Sequence, residues 1–214
     1  MSTKTAHTHT LTRQQTNTSK LVLFDFDGTI TTKDTFIEFI LYYRGRYRYL
    51  SGLLMMAPML ALYVGKLIPN WKAKQNFLTY YFKGEKISEF DSMCREFTNK
   101  ALPGLIRPQA IQAIEDYRKQ NVTIAVVSAS AENWVKPWCD DLGLICLATK
   151  LEVVEGAITG KLSGRNCYGD EKVCRIQEHF KLSDYNEIIA YGDSSGDKEM
   201  LELANTPFYK PFRS

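Results

Sequence analysis

Histidine is scarce in this 214-residue chain, and two of its three histidines, His7 and His9, lie in a polar N-terminal segment. A metal site built from imidazole is therefore not expected, whereas one built from carboxylates is open. The five cysteines form no Cys-x-x-Cys pair, and residues 1–20 contain no apolar run of the kind found in secretory signals. We therefore expect reduced thiols and a cytoplasmic protein.

Long hydrophobic stretches are also few, and the mean hydropathy of −0.26 excludes a protein with many membrane spans. Hydrophobic residues make up 44% of the chain and charged residues 24%, which is typical of a globular protein and excludes disorder throughout. Residues 1–19 are the exception, because they are rich in threonine and contain nothing that could form a core. We predict a disordered tail there.

Three short apolar runs, at residues 20–26, 122–127 and 187–191, are typical of strands buried on both faces. A helix-like stretch follows each run, and residues 106–120 form an amphipathic helical pattern before the second one. Strands that alternate with helices predict an α/β fold with a doubly wound parallel sheet. We assign this core to residues 20–33 and 105–214. Its three strand ends should converge on one pocket, since ligands bind beyond the carboxyl ends of parallel strands.

Residues 34–104 interrupt this alternation and are predicted to form an inserted helical cap over the carboxyl edge of the sheet. The helical patterns cover residues 34–43, 50–68, 70–83 and 86–100. A hairpin is expected at residues 153–162, where Gly156 and Gly160 interrupt two short strand-like pieces.

Acidic residues follow the first and third strands. Asp25 and Asp27 stand two apart, and neighbouring carboxylates repel unless a cation or a proton is shared between them. Mg²⁺ suits oxygen ligands of this kind, and Asp193 and Asp197 could complete its site. Taken singly, each of these residues could equally be a turn, a solvated surface group or a helix cap.

The ordered set is far more specific than its members. It comprises Asp25-Phe-Asp27-Gly-Thr29 after the first strand, Ser128 after the second, Lys172 at the start of a helix, and Gly192-Asp193-Ser-Ser-Gly-Asp197 after the third. This set resembles the four motifs of the haloacid dehalogenase superfamily over about residues 20–210. The insertion after the first motif is similar to that of the phosphoserine-phosphatase-like subfamily. The resemblance implies a Rossmann-like core with an α-helical cap.

It also implies roles for individual residues. Asp25 would be the nucleophile that forms an aspartyl-phosphate, and Asp27 the general acid and then the general base. Mg²⁺ would be held by Asp25, the Asp27 carbonyl and Asp193, with Asp197 positioning bound water. The phosphoryl oxygens would be contacted by Ser128, Lys172, Thr29 and the Ala129 amide. Positioning and charge neutralisation of this kind suit phosphoryl transfer.

Two positions complicate an assignment to phosphoserine. Gly196 stands where soluble phosphoserine phosphatases carry an asparagine that organises the phosphate site. Asp34 lies nine residues after the nucleophile, where that family has a glutamate that binds the substrate amine. Asp34 could bind the substrate in the same way, but its place before Thr35 and Phe36 is also typical of a helix N-cap.

The cap has an unusual composition. Residues 42–86 hold eight basic side chains and one acidic, and residues 49–65 are seventeen residues without a charge. A basic segment favours an anionic partner, and a helix that is apolar on all sides is either buried or in lipid. Pro58 interrupts the run, which is short for a membrane span. Two interpretations stay open: packing within the cap, or docking on an anionic membrane.

An apolar, basic cap of this kind is similar to that of the phosphatidylglycerophosphatase C family, which shares the third motif, here Gly169-Asp-Glu-Lys172-Val. The resemblance implies a lipid phosphate as substrate and a peripheral position at the inner face of the membrane. A small soluble phosphomonoester, such as phosphoserine or a sugar phosphate, is the alternative, as is a phosphomutase. A non-catalytic phosphate-binding or lipid-binding module is the alternative of another class. We expect no nucleic-acid partner.

Overall fold

The computed structural model describes residues 19–213 of the chain. Its strands are β1 (Lys20–Phe24), β2 (Thr123–Ala131), β3 (Ile145–Thr149), β4 (Leu151–Val154), β5 (Ala157–Leu162), β6 (Glu187–Gly192) and β7 (Thr206–Tyr209). Five of them form one parallel sheet in the order β3-β2-β1-β6-β7, while β4 and β5 form a separate antiparallel pair. The predicted α/β class with a parallel sheet is confirmed.

Eight α-helices accompany the strands in the described part of the chain. They are α1 (Thr35–Met55), α2 (Ala57–Val64), α3 (Asn70–Phe82), α4 (Ile87–Lys100), α5 (Pro108–Lys119), α6 (Glu132–Leu142), α7 (Asp170–His179) and α8 (Lys198–Leu203). The first four lie in the predicted cap, and the other four alternate with the strands of the sheet, as expected for a doubly wound fold.

The central strand β1 is covered on both of its faces. Successive side chains of a strand point to opposite faces, and Val22 and Phe24 belong to one hydrophobic cluster while Leu21 and Leu23 belong to another. The first cluster contains residues of α5, α6 and the cap, and the second contains residues of α7 and α8. Residues 21–24 of β1 are therefore all apolar, because each of them is buried on one face of the sheet or the other.

The cap helices depart from the predicted boundaries. Helix α1 covers Thr35–Met55 but is broken by a kink at Gly45, whose φ of 77° and ψ of 163° are not helical. The helix predicted over residues 50–68 is wrong, because it is divided at Met56 and its second part ends at Val64. Pro58 is the reason, since proline is accepted in the first turn of a new helix but not within a continuing one.

The hairpin of β4 and β5 forms where it was predicted, with Gly156 in the turn, but it packs on the cap. The Gly84 amide donates to the Ile158 carbonyl at 2.8 Å, and the Ile158 amide donates to the Glu85 carbonyl at 2.9 Å. Gly160 lies so close to α3 that an added Cβ would be 2.3 Å from the Thr79 Cα. The hairpin thus belongs spatially with the cap helices, although its residues lie in the segment assigned to the core.

The two chain segments that join the cap to the core are bonded to each other. The Thr32 amide donates to the Leu105 carbonyl and the Arg107 amide to the Ile30 carbonyl, both at 2.8 Å. Residues 1–18 of the predicted disordered tail lie outside the described residues. Among residues 19–213, no helix is long and apolar enough to cross a membrane.

Candidate active site

The catalytic candidates converge at the carboxyl edge of the sheet. Asp25 directly follows β1, and its amide donates to the Tyr191 carbonyl of β6 at 2.8 Å. The chain then turns through Gly28, whose φ is 84°. A Cβ at this position would lie 2.5 Å from the Asp193 carboxylate, so the glycine allows the first and third strand ends to approach.

Lys172 is the centre of the site. It is the third residue of α7 and is almost fully buried, and its Nζ lies 2.6 Å from Asp25 Oδ1 and 2.6 Å from Asp197 Oδ1. Nζ also donates to the Val127 carbonyl at 2.7 Å. Burial opposes the charge on Lys172, but the two carboxylates outweigh it and raise its pKa. The ammonium therefore stays charged where a phosphoryl group would need neutralisation.

Three carboxylates surround a point where a cation would fit. Oxygens of Asp25, Asp193 and Asp197 all lie within 4.8 Å of one another. Burial raises the pKa of Asp25 to about 8, despite the attraction of Lys172, and Asp197 adds to the effect by repulsion. Burial likewise raises the pKa of Asp193. These three carboxylates are only partly neutralised by lysine, and a hard divalent cation with oxygen ligands would supply the missing charge.

Asp197 differs from the other two carboxylates because it is fixed by several donors. Its Oδ2 accepts from the Ser194 amide at 2.9 Å, the Ser194 hydroxyl at 2.8 Å and the Asp193 amide at 3.1 Å. Burial opposes its ionisation, but Lys172 and these donors outweigh burial and lower its pKa. Asp197 is therefore held ionised and immobile beside the two candidate ligands.

An arginine from the C-terminal segment also reaches this cluster. Arg213 forms an ion pair with Asp193 Oδ2. The preceding Phe212 stacks on Tyr191 at a ring-centroid distance of 5.4 Å, and its carbonyl accepts from Arg107 at 3.3 Å. The aromatic contact and the hydrogen bond together set the position of the guanidinium.

Asp27 points away from these carboxylates. Its Oδ1 accepts from the Thr35 amide at 2.6 Å and the Thr35 hydroxyl at 2.5 Å, and its Oδ2 lies 2.6 Å from the Ser130 hydroxyl. Ser128 is 3.5 Å from the same oxygen. The side chain of Asp27 thus lies outside the carboxylate cluster that could hold a metal.

A cavity of about 430 Å³ opens above these groups, a size suited to a small-molecule site. Asp25, Asp27 and Lys172 line its floor, and the cap supplies its roof and walls. The cap residues that line it are mostly apolar and come from α1, α2 and α3: Phe36, Ile37, Ile40, Tyr49, Leu53, Leu60, Tyr63, Ala73 and Phe77. The acid groups therefore share one cavity with the largely apolar residues of the cap.

Comparison with known proteins agrees with this geometry. The family model described as haloacid dehalogenase-like hydrolase matches residues 22–202. The chain belongs to the haloacid dehalogenase-like hydrolase family. It is 36% identical to Protein CicA of Caulobacter vibrioides over 195 residues, which is 90% of this chain and 86% of that protein.

Two solved structures show the same fold. A protein of unknown function from Bordetella pertussis Tohama I has a TM-score of 0.76, with 22% identity and 89% of each chain covered. A substrate-bound phosphoserine phosphatase complex has a TM-score of 0.62, with 22% identity, covering 89% of this chain and 85% of that one. The predictions of the superfamily, of the phosphoserine-phosphatase-like architecture and of an enzyme, a hydrolase, are therefore confirmed.

Among the phosphate contacts predicted for this hydrolase, Ala129 and Lys172 line the cavity, whereas Thr29 and Ser128 are buried beside it. The Thr29 hydroxyl is buried and has no hydrogen-bond partner among residues 19–213. The Ser128 hydroxyl accepts from the Ser130 amide at 2.9 Å. Ser128 therefore supports the turn that carries Ala129 and Ser130.

Asp34 is the N-cap of α1, one of the two interpretations of its position, and it also lines the cavity. Its carboxylate caps α1 by accepting from the Phe36 amide at 2.9 Å and the Ile37 amide at 3.3 Å. Lys74 of α3 faces the same cavity and donates to the Ala129 carbonyl. Its place in the site was not predicted from the sequence. Burial lowers the pKa of Lys74, against the attraction of Asp27 and Asp34.

The glycine that replaces the expected asparagine has a structural reason. A Cβ at Gly196 would lie 2.3 Å from the Tyr168 ring, so a side chain there would require the ring to move. Tyr168 lines the cavity, and its hydroxyl is 3.0 Å from the Ser195 hydroxyl. The ring of Tyr168 thus occupies the space that the side chain of an asparagine at position 196 would need.

Proposed function

We propose that this hydrolase is a Mg²⁺-dependent phosphomonoesterase that works through an aspartyl-phosphate on Asp25. The proposal is supported by the different surroundings of Asp25 and Asp27, the two carboxylates of the first motif. Asp25 is bonded to a buried ammonium and faces the metal cluster, while Asp27 is held by hydroxyl and amide donors at the cavity. Two carboxylates in different surroundings suit two different roles, one as the nucleophile and one in proton transfer.

In the first step an oxygen of Asp25 attacks phosphorus as the bond to the leaving oxygen breaks. The proton of Asp27 passes to that leaving oxygen, so an alcohol departs. In the second step Asp27 accepts a proton from water as the water oxygen attacks phosphorus. Inorganic phosphate leaves, and the Asp25 carboxylate and the protonated Asp27 are restored.

The residues for a cation are Asp25 and Asp193, with Asp197 beside them. When bound, Mg²⁺ would supply positive charge for the phosphoryl oxygens and allow Asp25 to stay ionised. Lys172 donates to both Asp25 and Asp197 and supplies a further positive charge. The Asp25→Asn protein should therefore fold but show no turnover.

For the substrate we propose a lipid phosphate at a membrane surface. The main observation that supports this proposal is that none of the residues of α2 is buried. Helix α2 has no charged side chain, yet it lies on the surface. Leu54, at the end of α1, is 80% exposed and Val64 is 78% exposed. A contiguous apolar surface of this kind is typical of contact with a membrane or a partner protein.

The charges around α2 favour the membrane. In the sequence, Arg46, Lys66 and Lys72 stand on either side of the exposed apolar residues, and they form no ion pair in the described part of the chain. Free cations beside an apolar helix suit the boundary between anionic head groups and acyl chains. Leu60 of the same helix lines the cavity, so the apolar surface adjoins the wall of the active site.

The test compares binding with catalysis. The wild type should cosediment with phosphatidylglycerol vesicles but not with phosphatidylcholine vesicles, and should prefer phosphatidylglycerophosphate in mixed micelles to phosphoserine. Val64→Asp should abolish vesicle binding and leave hydrolysis of p-nitrophenyl phosphate unchanged. Val154→Asp, which changes an exposed valine of the hairpin, is the matched control. Failure of the wild type to bind anionic vesicles would refute membrane docking.

A small amino-acid phosphate is the second candidate, favoured by one observation. The carboxylate of Asp34 and the ammonium of Lys74 face the same cavity, as a zwitterionic leaving group would require. Preference for phosphoserine in the same assay would select this function. In that case Asp34→Asn should raise KM for phosphoserine without changing hydrolysis of p-nitrophenyl phosphate.

A further inference from the structure

The setting of Asp27 contains a residue that no motif includes. Thr35, the first residue of α1, is fully buried and offers two donors, its amide and its hydroxyl, to the same oxygen of Asp27. Thr35 comes eight residues after Asp27, and its hydroxyl is thus brought to the site by the start of the cap.

The direction of the Thr35 hydroxyl is fixed by a neighbour. The indole Nε1 of Trp134, in α6, lies 3.1 Å from Thr35 Oγ1. An indole N–H can only donate, so the threonine oxygen accepts from it. The threonine proton is then available to Asp27 Oδ1, at 2.5 Å, in preference to the Ser130 hydroxyl at 3.3 Å.

The two oxygens of Asp27 therefore differ in how readily each can hold the proton of the carboxylic acid. Oδ1 faces two donors and is held as an acceptor, whereas Oδ2 faces two hydroxyls, of Ser130 at 2.6 Å and of Ser128 at 3.5 Å, and a hydroxyl can donate or accept. A carboxylic acid proton placed on Oδ1 would meet two other protons, while one placed on Oδ2 would meet a partner able to accept it.

We infer that Thr35, oriented by Trp134, is a positioning residue that fixes the transferable proton of the general acid on Asp27 Oδ2. This inference rests on the proposed function, in which Asp27 protonates the leaving oxygen. The bond to hydrogen breaks at Oδ2 and forms at the leaving oxygen as the phosphorus–oxygen bond breaks. Thr35 exchanges no proton in this step and acts by keeping Oδ1 an acceptor.

The inference predicts a dependence on the leaving group. Thr35→Val removes the hydroxyl and keeps the amide. It should slow the hydrolysis of hexyl phosphate, whose alkoxide needs a proton, by about fivefold, the effect of one hydrogen bond between uncharged groups. The burst of p-nitrophenolate from p-nitrophenyl phosphate should keep its wild-type rate, because nitrophenolate leaves without a proton.

Controls separate positioning from folding. Thr98→Val removes another buried hydroxyl, which donates to the Trp134 carbonyl at 3.1 Å and does not touch Asp27. It should leave both substrates unaffected, Thr35→Ser should restore hexyl phosphate hydrolysis, and Trp134→Phe should slow it in the same sense as Thr35→Val.

Equal slowing of the hexyl phosphate reaction and the nitrophenolate burst by Thr35→Val would overturn the inference, and so would no slowing of either. A wild-type protein that hydrolyses neither ester would instead refute the proposed function.

Discussion

The buried nucleophile makes the stability of the metal-free protein depend on pH. Burial raises the pKa of Asp25 from 3.8 to about 8, in spite of Lys172 and with added repulsion from Asp197. An aspartate in the unfolded chain titrates near the lower value. Between these two pH values the folded protein therefore binds a proton at Asp25 that the unfolded chain does not.

The sign follows from this difference. The proton stabilises the folded state at low pH, and its contribution is lost as the pH rises from about 4 towards 8. The two pKa values differ by about 4, and each pKa unit corresponds to about 1.4 kcal/mol. The upper limit of the effect is therefore about 6 kcal/mol, which is comparable to the whole stability of many domains.

The assay is urea unfolding in EDTA between pH 5 and 8, with Asp25→Asn as the comparison. The wild type should lose several kcal/mol of unfolding free energy over this range, and the variant should lose much less. Saturating Mg²⁺ should reverse the trend, since a cation binds the ionised carboxylate. Parallel curves for the two proteins in EDTA would refute the reasoning.

Three further substitutions test the site and the cap. Lys172→Met should lower kcat about 100-fold or more on p-nitrophenyl phosphate, because it removes the ammonium bonded to Asp25; near-normal turnover would contradict this. Arg213→Gln should tighten Mg²⁺ binding severalfold in calorimetry, because the guanidinium competes for a candidate ligand; unchanged affinity would contradict this. Gly52→Ala should lower Tm by several degrees, because the Cβ would lie 2.0 Å from the Tyr81 hydroxyl, whereas Gly104→Ala, in open space, should not.

The parts of the fold that could be predicted are those set by local pattern. The three central strands of the sheet are buried on both faces and have continuous apolar sequences. The strands β3 and β7 were missed because they lie at the edges of the sheet, where partial exposure gives a mixed sequence. The first cap helix was predicted to end at Tyr43, and the structure breaks its helical geometry at Gly45; the helical turns between Gly45 and about residue 50 were not predicted.

The candidate site likewise contains residues that local motifs predicted and residues that they did not. Asp25, Lys172 and Asp197 lie in ordered motifs; the two aspartates follow β1 and β6, and Lys172 reaches them from the first turn of α7. Thr35 and Trp134 are 99 residues apart, and Lys74 reaches the loop after β2 from the cap. Contacts of this kind depend on how the cap packs on the core, which no short-range pattern records.

The packing of the hairpin limits how the cap can move. Besides the paired linkers at Thr32 and Arg107, the cap is tied through Gly84 and Glu85 to Ile158 of the hairpin. A lid with one hinge would swing open about its linkers alone, but the hairpin that packs on the cap is itself joined to the core at both of its ends, between β3 and α7. Small sliding displacements of packed helices are compatible with both attachments, whereas wide opening is not. Substrate should therefore enter sideways, past α2, rather than through a raised lid.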